Sequence, residues 1–148
     1  MNRRWKILRK KTSTVTSVKK TRRSPLTIAR AIARIASEKK AKDIKAYNLE
    51  GLTLLADSFI LCTVTSEPQQ KAVFNAVYEG LKTKGIVPLS TEGTFQDNWM
   101  VMDYGSVVFH IFKQKARDYY DLDGMWGDAP KIELKLKEDK SKETGDKD

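Results

Sequence analysis

The sequence predicts one α/β domain, and three observations support that prediction. Two segments place apolar residues at helical spacing behind a serine and a proline, which is typical of capped amphipathic helices. Five short segments are rich in β-branched and apolar residues, as strands are. Two of these segments flank Gly105-Ser106, a pair that suits a tight hairpin turn. A chain of 148 residues is long enough for one such domain with tails.

The first helix is predicted to begin at Ser24-Pro25, because serine caps a helix and proline fits its first position. We expect it to end near Lys42. Residues 44–49 then form a short strand, and residues 51–56 form a connection. The helix's apolar stripe consists of Leu26, Ala29, Ile32, Ala33, Ile35 and Ala36.

The middle of the chain predicts a buried strand, a second helix and a short edge strand. Residues 57–65 are almost continuously apolar or β-branched, which indicates an interior strand. Ser66 and Pro68 open the second helix, and Gly85 ends it. Residues 86–91 contain Pro88, so this strand is expected at a sheet edge or strand end. The apolar stripe of the second helix consists of Val73, Phe74, Val77, Tyr78 and Leu81.

The hairpin over residues 99–112 is the most informative segment. Its runs 99–104 and 107–112 flank the Gly-Ser pair, and a type II′ turn there pairs Tyr104 with Val107 and Met100 with Ile111. Because strand side chains alternate between faces, this pairing divides the hairpin into two sets. We expect the almost wholly apolar set to pack on the helices. It consists of Met100, Met102, Tyr104, Val107, Phe109 and Ile111.

The opposite face of the hairpin mixes apolar and polar side chains: Trp99, Val101, Asp103, Val108, His110 and Phe112. Two interpretations are open. In the structural one, loops cover this face, and Asp103 and His110 bond to each other or to the backbone. In the functional one, the face is a protein-docking patch, because aromatic anchors rimmed by polar groups are typical of interface hot spots.

The net charge of +9 is concentrated in an N-terminal extension. Residues 1–25 contain ten basic and no acidic residues, residues 26–130 contain twelve and thirteen, and residues 131–148 contain six of each. We therefore divide the chain into a basic extension (1–24), a near-neutral domain (25–130) and a charged tail (131–148) that should fray. The extension is interpreted as an arm, either solvated or bound to phosphate. A transit peptide is the alternative.

Seven short segments, taken in their order along the chain, carry a resemblance to a known family. They are Lys42-Asp43-Ile44, Ala-Asp-Ser-Phe-Ile-Leu-Cys-Thr at 56–63, Glu92-Gly93, Asn-Trp-Met-Val-Met-Asp-Tyr-Gly at 98–105, Val-Val-Phe-His-Ile-Phe at 107–112, Arg-Asp-Tyr-Tyr-Asp-Leu at 117–122 and Trp-Gly-Asp-Ala-Pro at 126–130. Over about residues 26–130 the chain resembles the ribosomal silencing factor family, also called the Iojap-like or RsfS family. Ser58, Ser106 and the stretch 123–125 depart mildly from its pattern.

The resemblance implies a small mixed sheet of about five strands with packed helices. The topology would be nucleotidyltransferase-like without the catalytic residues. It also implies a cytoplasmic non-enzyme without a cofactor. Such a factor binds the large ribosomal subunit through large-subunit ribosomal protein fourteen and sterically blocks joining of the small subunit, or aids large-subunit assembly. Members often self-associate, so a homodimer is one option, and ribosomal RNA is a secondary partner for the basic extension.

The residues expected to bind the partner combine the mixed hairpin face with the aromatic segment after it. Trp99, Val101 and Phe112 are the predicted apolar anchors, while Asp103, His110 and Arg117 supply polar contacts. Tyr119 and Leu122 extend the surface, with Tyr120 and Trp126 either beside them or closing the core.

A metal-dependent nucleotidyltransferase is the alternative function. The chain contains Gly105-Ser106 and the pair Asp121 and Asp123, and two carboxylates are able to bind a divalent metal. That chemistry requires the Gly-Ser pair at a helix start, whereas here it lies in a predicted hairpin turn. The alternative location is organellar, if the basic extension is a transit peptide. Cys62 is expected to be a buried apolar residue.

Overall fold

A computed structural model describes residues 24–136, and four helices and five strands make up this region. Along the chain they are α1 (Pro25–Glu38), β1 (Lys42–Asn48), β2 (Ser58–Val64), α2 (Glu67–Lys82), β3 (Ser90–Glu92), β4 (Trp99–Asp103), β5 (Val107–Lys113), α3 (Gln114–Tyr120) and α4 (Leu122–Met125). The sheet order is β1-β2-β5-β4-β3. Strands β2 and β5 are parallel and the other neighbours are antiparallel. The predicted mixed α/β fold is confirmed.

Both long helices begin where the sequence predicts. The Ser24 hydroxyl accepts the Thr27 backbone N–H at 3.1 Å, and the Ser66 hydroxyl accepts that of Gln69 at 3.2 Å. The end of α1 differs from the prediction, because the helix stops at Glu38 and the next strand already begins at Lys42. Lys40 adopts a left-handed conformation with φ 69°, which turns the chain straight into β1.

The predicted hairpin register is confirmed throughout. Met100 pairs with Ile111 and Asp103 with Val108, and the Tyr104 N–H donates to the Val107 carbonyl at 2.8 Å. Gly105 has φ +93°, a conformation that a two-residue turn requires and glycine adopts without strain. The Asp103 carboxylate accepts the Gly105 N–H at 2.8 Å and stabilises the turn.

Each face of the sheet buries its own hydrophobic core. Helices α1 and α2 cover one face, against the predicted apolar set of the hairpin. Residues 114–130, here called the C-terminal strap, contribute Ala116, Leu122 and Ala129 to a second core on the other face. Residues 131–136, the first part of the charged tail, continue from the strap and contact the domain. Ile132 donates to the Ala46 carbonyl at 2.8 Å, and Leu136 is buried.

Strand β3 is shorter than predicted and lies at the sheet edge. Pro88 precedes it, as expected for a residue that lacks a ladder donor. Among the described residues, no helix is both long enough and apolar enough to cross a membrane. The predictions for the basic extension (1–24) lie outside the described residues, apart from Ser24.

Candidate functional site

The mixed face of the hairpin is buried beneath the C-terminal strap. Trp99 is 3% exposed, Asp103 2%, and the other four side chains of this face are fully buried. The expectation that they form an exposed patch is therefore wrong, and the structural interpretation describes this face. The physical reason is local: α3 follows β5 directly, so the chain folds back across the strand face that it has just completed.

Trp99 and His110 form the centre of the second core. The indole Nε1 donates to the imidazole Nδ1 at 3.1 Å, which fixes His110 as the tautomer protonated at Nε2. The indole ring also stacks on Phe112, with centroids 5.1 Å apart, and contacts Tyr120 at 4.6 Å. The predicted anchors thus pack on one another and brace the domain from within.

His110 makes the stability of the folded domain depend on pH. Burial, with a smaller contribution from the positive charge of Arg117, lowers its pKa from 6.5 to about 3. Between these values the unfolded chain binds a proton that the folded chain does not, so stability decreases as pH falls. We predict a loss of about 2 kcal/mol between pH 7 and pH 5.

Urea unfolding at pH 7, 6 and 5 measures this effect, with His110→Gln as the control because His110 is the chain's one histidine. The variant should be less stable at pH 7 but show a flatter pH profile than the wild type. Parallel profiles for the two proteins would contradict a neutral, buried His110.

Arg117 fastens the strap to the sheet. Its Nε and Nη2 donate to the two carboxylate oxygens of Asp123, at 2.7 and 3.2 Å. Its Nη1 donates to the Thr63 hydroxyl at 2.8 Å and to the Asp43 carbonyl at 2.9 Å. Asp123 also accepts the Tyr47 hydroxyl at 2.6 Å. Arg117, predicted to contact a partner, is 6% exposed and instead joins α3 to α4, β1 and β2.

The same network controls the ionisation of Asp123. Burial alone would raise the pKa of this carboxyl, but hydrogen bonds from Arg117 and Tyr47 and the charge of Arg117 outweigh it and lower the pKa. This contribution to stability is present above about pH 4 and is lost as pH falls through the lower folded pKa. It therefore does not overlap the His110 effect at pH 5–7.

An open groove lies between the start of β4 and helix α3. Its volume is about 700 Å³, and it is lined by Gly93, Asp97, Asn98, Trp99, Lys115, Ala116, Tyr119 and Tyr120. Tyr119 is 80% exposed, and its ring meets Tyr120 edge-on with centroids 5.0 Å apart. Tyr120 is partly buried and in turn contacts the buried Trp99, so the exposed ring has an aromatic support. Exposed aromatic rings on rigid supports are typical of interface anchors.

Two residues shape the loop on one side of this groove. Gln70 is fully buried, and its side-chain amide donates to the carbonyls of Thr94, Phe95 and Asp97 at 3.4, 3.2 and 2.7 Å. Gly93 has φ +92°, and a Cβ there would lie 2.7 Å from the Trp99 carbonyl oxygen. The sequence analysis missed Gln70, although a polar residue on the buried stripe of α2 was an available signal.

The predicted site residues thus separate into two groups. Tyr119 is on the surface, and Trp99 and Tyr120 lie at the base of the groove beside it. The remaining residues support the domain from inside: Val101, Asp103, His110, Phe112, Arg117 and Leu122. Asn98 and Lys115 also line the groove and were not among the predicted residues.

The residues of the enzymatic alternative have other structural roles. Gly105-Ser106 is the hairpin turn, not a helix start. Asp121 caps α4 by accepting the Gly124 N–H at 3.0 Å, and Asp123 is held by Arg117. Within residues 24–136, no three His, Cys, Asp or Glu side chains lie together in a way that could hold a metal ion.

Comparison with known proteins decides the family. The profile described as "Ribosomal silencing factor during starvation" matches residues 21–148. The chain belongs to the ribosomal silencing factor family. The factor of Halalkalibacterium halodurans is 39% identical over 97 residues, which are 66% of this chain and 83% of that protein. The factor of Bacillus subtilis is 36% identical over 72% of this chain and 91% of its own. The chloroplastic protein Iojap of Arabidopsis thaliana is 32% identical over 74% of this chain and 45% of its own.

Solved structures of similar proteins share the fold. A crystal structure from Chromobacterium violaceum aligns with a TM-score of 0.67 at 32% identity, covering 71% of this chain and 88% of that one. A second, from Bacillus halodurans, aligns with a TM-score of 0.61 at 33% identity, covering 74% and 96%. Membership of this family places the chain among factors named for ribosome silencing, and the predicted family resemblance is confirmed.

Proposed function

We propose that this protein silences translation by docking on the large ribosomal subunit, through large-subunit ribosomal protein fourteen, and sterically blocking the small subunit. The observation that supports a docking role most directly is the exposed Tyr119 ring beside the partly buried Tyr120, which in turn contacts the buried Trp99. Family membership supplies the ribosome as the target. The mechanism requires no chemistry, because two partners that compete for one surface exclude each other by affinity and concentration alone.

The proposed docking surface is the groove, with the buried hairpin face acting as its support. Tyr119 offers a large apolar ring, Asn98 and Asp97 offer polar atoms, and Lys115 offers a cation at the same opening. Such a mixture of an aromatic anchor and a polar rim is the usual composition of a protein interface. The buried residues contribute indirectly, because they hold α3 and therefore Tyr119 in position.

Tyr119→Ala is expected to abolish most of the silencing without unfolding the domain. An anchor in an interface contributes about 2 kcal/mol, so the variant should need roughly 30-fold more protein to block subunit joining. The folded state should be nearly unaffected, because a largely exposed side chain contributes within about 0.5 kcal/mol. Light scattering of mixed small and large subunits measures joining directly.

Leu54→Ala is the matched control for this experiment. Leu54 is 87% exposed, and it lies in the β1–β2 loop at the opposite end of the sheet from the groove. This variant should block joining as well as the wild type. If Leu54→Ala lost activity and Tyr119→Ala kept it, the docking surface would lie on the β1–β2 loop and the groove assignment would be refuted.

The cellular location and the oligomeric state are also part of the proposal. We propose a cytoplasmic location, while the relatives include bacterial factors as well as chloroplastic proteins. Analytical ultracentrifugation at several concentrations tests the homodimer. We further propose that the basic extension contacts ribosomal RNA. Its deletion should reduce salt-sensitive binding and leave docking through the groove intact.

A further inference from the structure

We infer that the folded domain carries its own RNA-binding edge, a row of lysines at the end of the sheet next to the groove. This inference rests on the proposed function, because it names a second contact made while the protein is docked. The domain as a whole is close to neutral, so composition argues against such a contact. The arrangement of charges in the fold argues for it.

The lysines come from two segments that the topology brings together. Segment 39–42 contains Lys39, Lys40 and Lys42, and segment 113–115 contains Lys113 and Lys115, with no acidic residue in either. In the sheet, Lys42 pairs with Thr63, and Lys113 pairs with the adjacent residue of β2, Val64. The two segments are therefore separated by about two strand spacings, or roughly 10 Å. The Lys39 carbonyl accepts the Gln69 side-chain amide at 3.1 Å, which fixes that lysine beside the start of α2.

These five cations are available to a partner. Four of them are exposed and Lys113 is partly exposed. Carboxylates lie in the same region, namely Glu38, Asp43, Glu67 and Asp118. Within residues 24–136, however, none of the five ammonium groups forms an ion pair with a carboxylate. Cations grouped without paired acids create a positive potential that attracts a polyanion.

The loops at the opposite end of the sheet differ in the charges that they carry. Segments 49–57 and 103–106 contain Glu50, Asp57 and Asp103 and no basic residue. The groove lies at the lysine end of the sheet, where β4 begins. Lys115 lies in both the groove and the lysine row, beside the exposed Tyr119 ring. Cations that track phosphates next to an aromatic ring are the usual elements of single-stranded RNA binding. We therefore assign the row to the phosphate backbone of ribosomal RNA that borders the protein contact.

The test compares two triple variants of the full-length chain. Lys40→Gln, Lys42→Gln and Lys113→Gln remove three of the five lysines of the row while leaving Lys115 and the groove untouched. Lys82→Gln, Lys84→Gln and Lys135→Gln remove the same charge elsewhere on the domain. Binding of a labelled oligouridylate is followed by fluorescence anisotropy over a series of salt concentrations. The basic extension is present in every protein, so its contribution cancels in the comparison.

The row variant should bind roughly tenfold more weakly at low salt, and its plot of log Kd against log salt should be shallower by about 2, because each phosphate contact on a single strand contributes about 0.7. The control variant should resemble the wild type. Thermal stability of the row variant should be unchanged or higher, since mutual repulsion is removed.

Equal slopes for the wild type and the row variant, or equal losses in both variants, would overturn the inference. Weaker binding of polyglutamate but not of RNA by the row variant would also overturn it, and would indicate an acidic protein partner. These outcomes are independent of the docking proposal, which fails if the wild type does not bind large subunits.

Discussion

Replacing Trp99 with alanine is expected to lower the free energy of unfolding by about 4 kcal/mol. The indole is 3% exposed, stacks on Phe112, contacts the tilted ring of Tyr120, and donates to His110. Removing it leaves a cavity in the second core and an imidazole nitrogen without its donor, and both effects are destabilising. Urea unfolding monitored by far-UV circular dichroism measures the change.

Tyr119→Ala is the control for this prediction, because it removes a neighbouring aromatic ring that is 80% exposed. Its free energy of unfolding should change by less than about 0.5 kcal/mol. A Trp99→Ala variant as stable as the wild type would show that the strap does not cover this face. The large expected loss also makes Trp99→Ala a poor probe of docking, because weaker ribosome binding by an unfolding protein does not locate an interface.

Replacing Arg117 with methionine is expected to destabilise the protein by about 3 kcal/mol. Methionine approximates the length of the arginine stem but removes the Arg117 donors, which leaves the Asp123 carboxylate with the Tyr47 hydroxyl alone and the Thr63 hydroxyl without the guanidinium. Arg117 is buried and the Asp123 side chain is 32% exposed, so breaking the ion pair from one side leaves a carboxylate that stays partly desolvated. The same unfolding experiment measures the loss.

The double variant Arg117→Met with Asp123→Leu distinguishes the ion pair from general packing. It removes the orphaned charge together with the arginine, so it should recover part of the stability lost in the single variant. Asp118→Asn, on the exposed side of α3, serves as the surface control and should change stability by less than about 0.5 kcal/mol. An Arg117→Met variant that unfolds like this control would contradict a stabilising role for the Arg117–Asp123 ion pair.

Local sequence chemistry was sufficient to predict the starts of the two long helices and the hairpin, but it did not predict α3 or α4. Ser24 and Ser66 cap their helices as expected, and Gly105 at φ +93° sets the register that pairs Met100 with Ile111. These features depend on neighbours in the chain, so periodicity and turn chemistry determine them. The end of α1 was misplaced because Lys40, and not a glycine, adopts the left-handed conformation that ends it.

The same local patterns could not predict which residues of the site are exposed. Alternation divides a strand into two faces but does not say what covers each of them. The second face is covered because Arg117 reaches across to Asp123, Thr63 and the Asp43 backbone, contacts that span up to 74 positions. The alternation of strand residues therefore predicted which hairpin side chains share a face. The tertiary contacts bury Val101 and Phe112, so the proposed docking surface keeps Tyr119 from the predicted set and loses those two residues.

Co-sedimentation of the full-length protein with purified ribosomal subunits tests the central proposal most directly. The protein should pellet with isolated large subunits at one copy per subunit, stay in the supernatant with isolated small subunits, and be displaced by excess small subunits. Tyr119→Ala should pellet far less at the same concentration, and Leu54→Ala should match the wild type. Binding to small subunits, or binding to large subunits that excess small subunits do not reduce, would contradict silencing by occlusion.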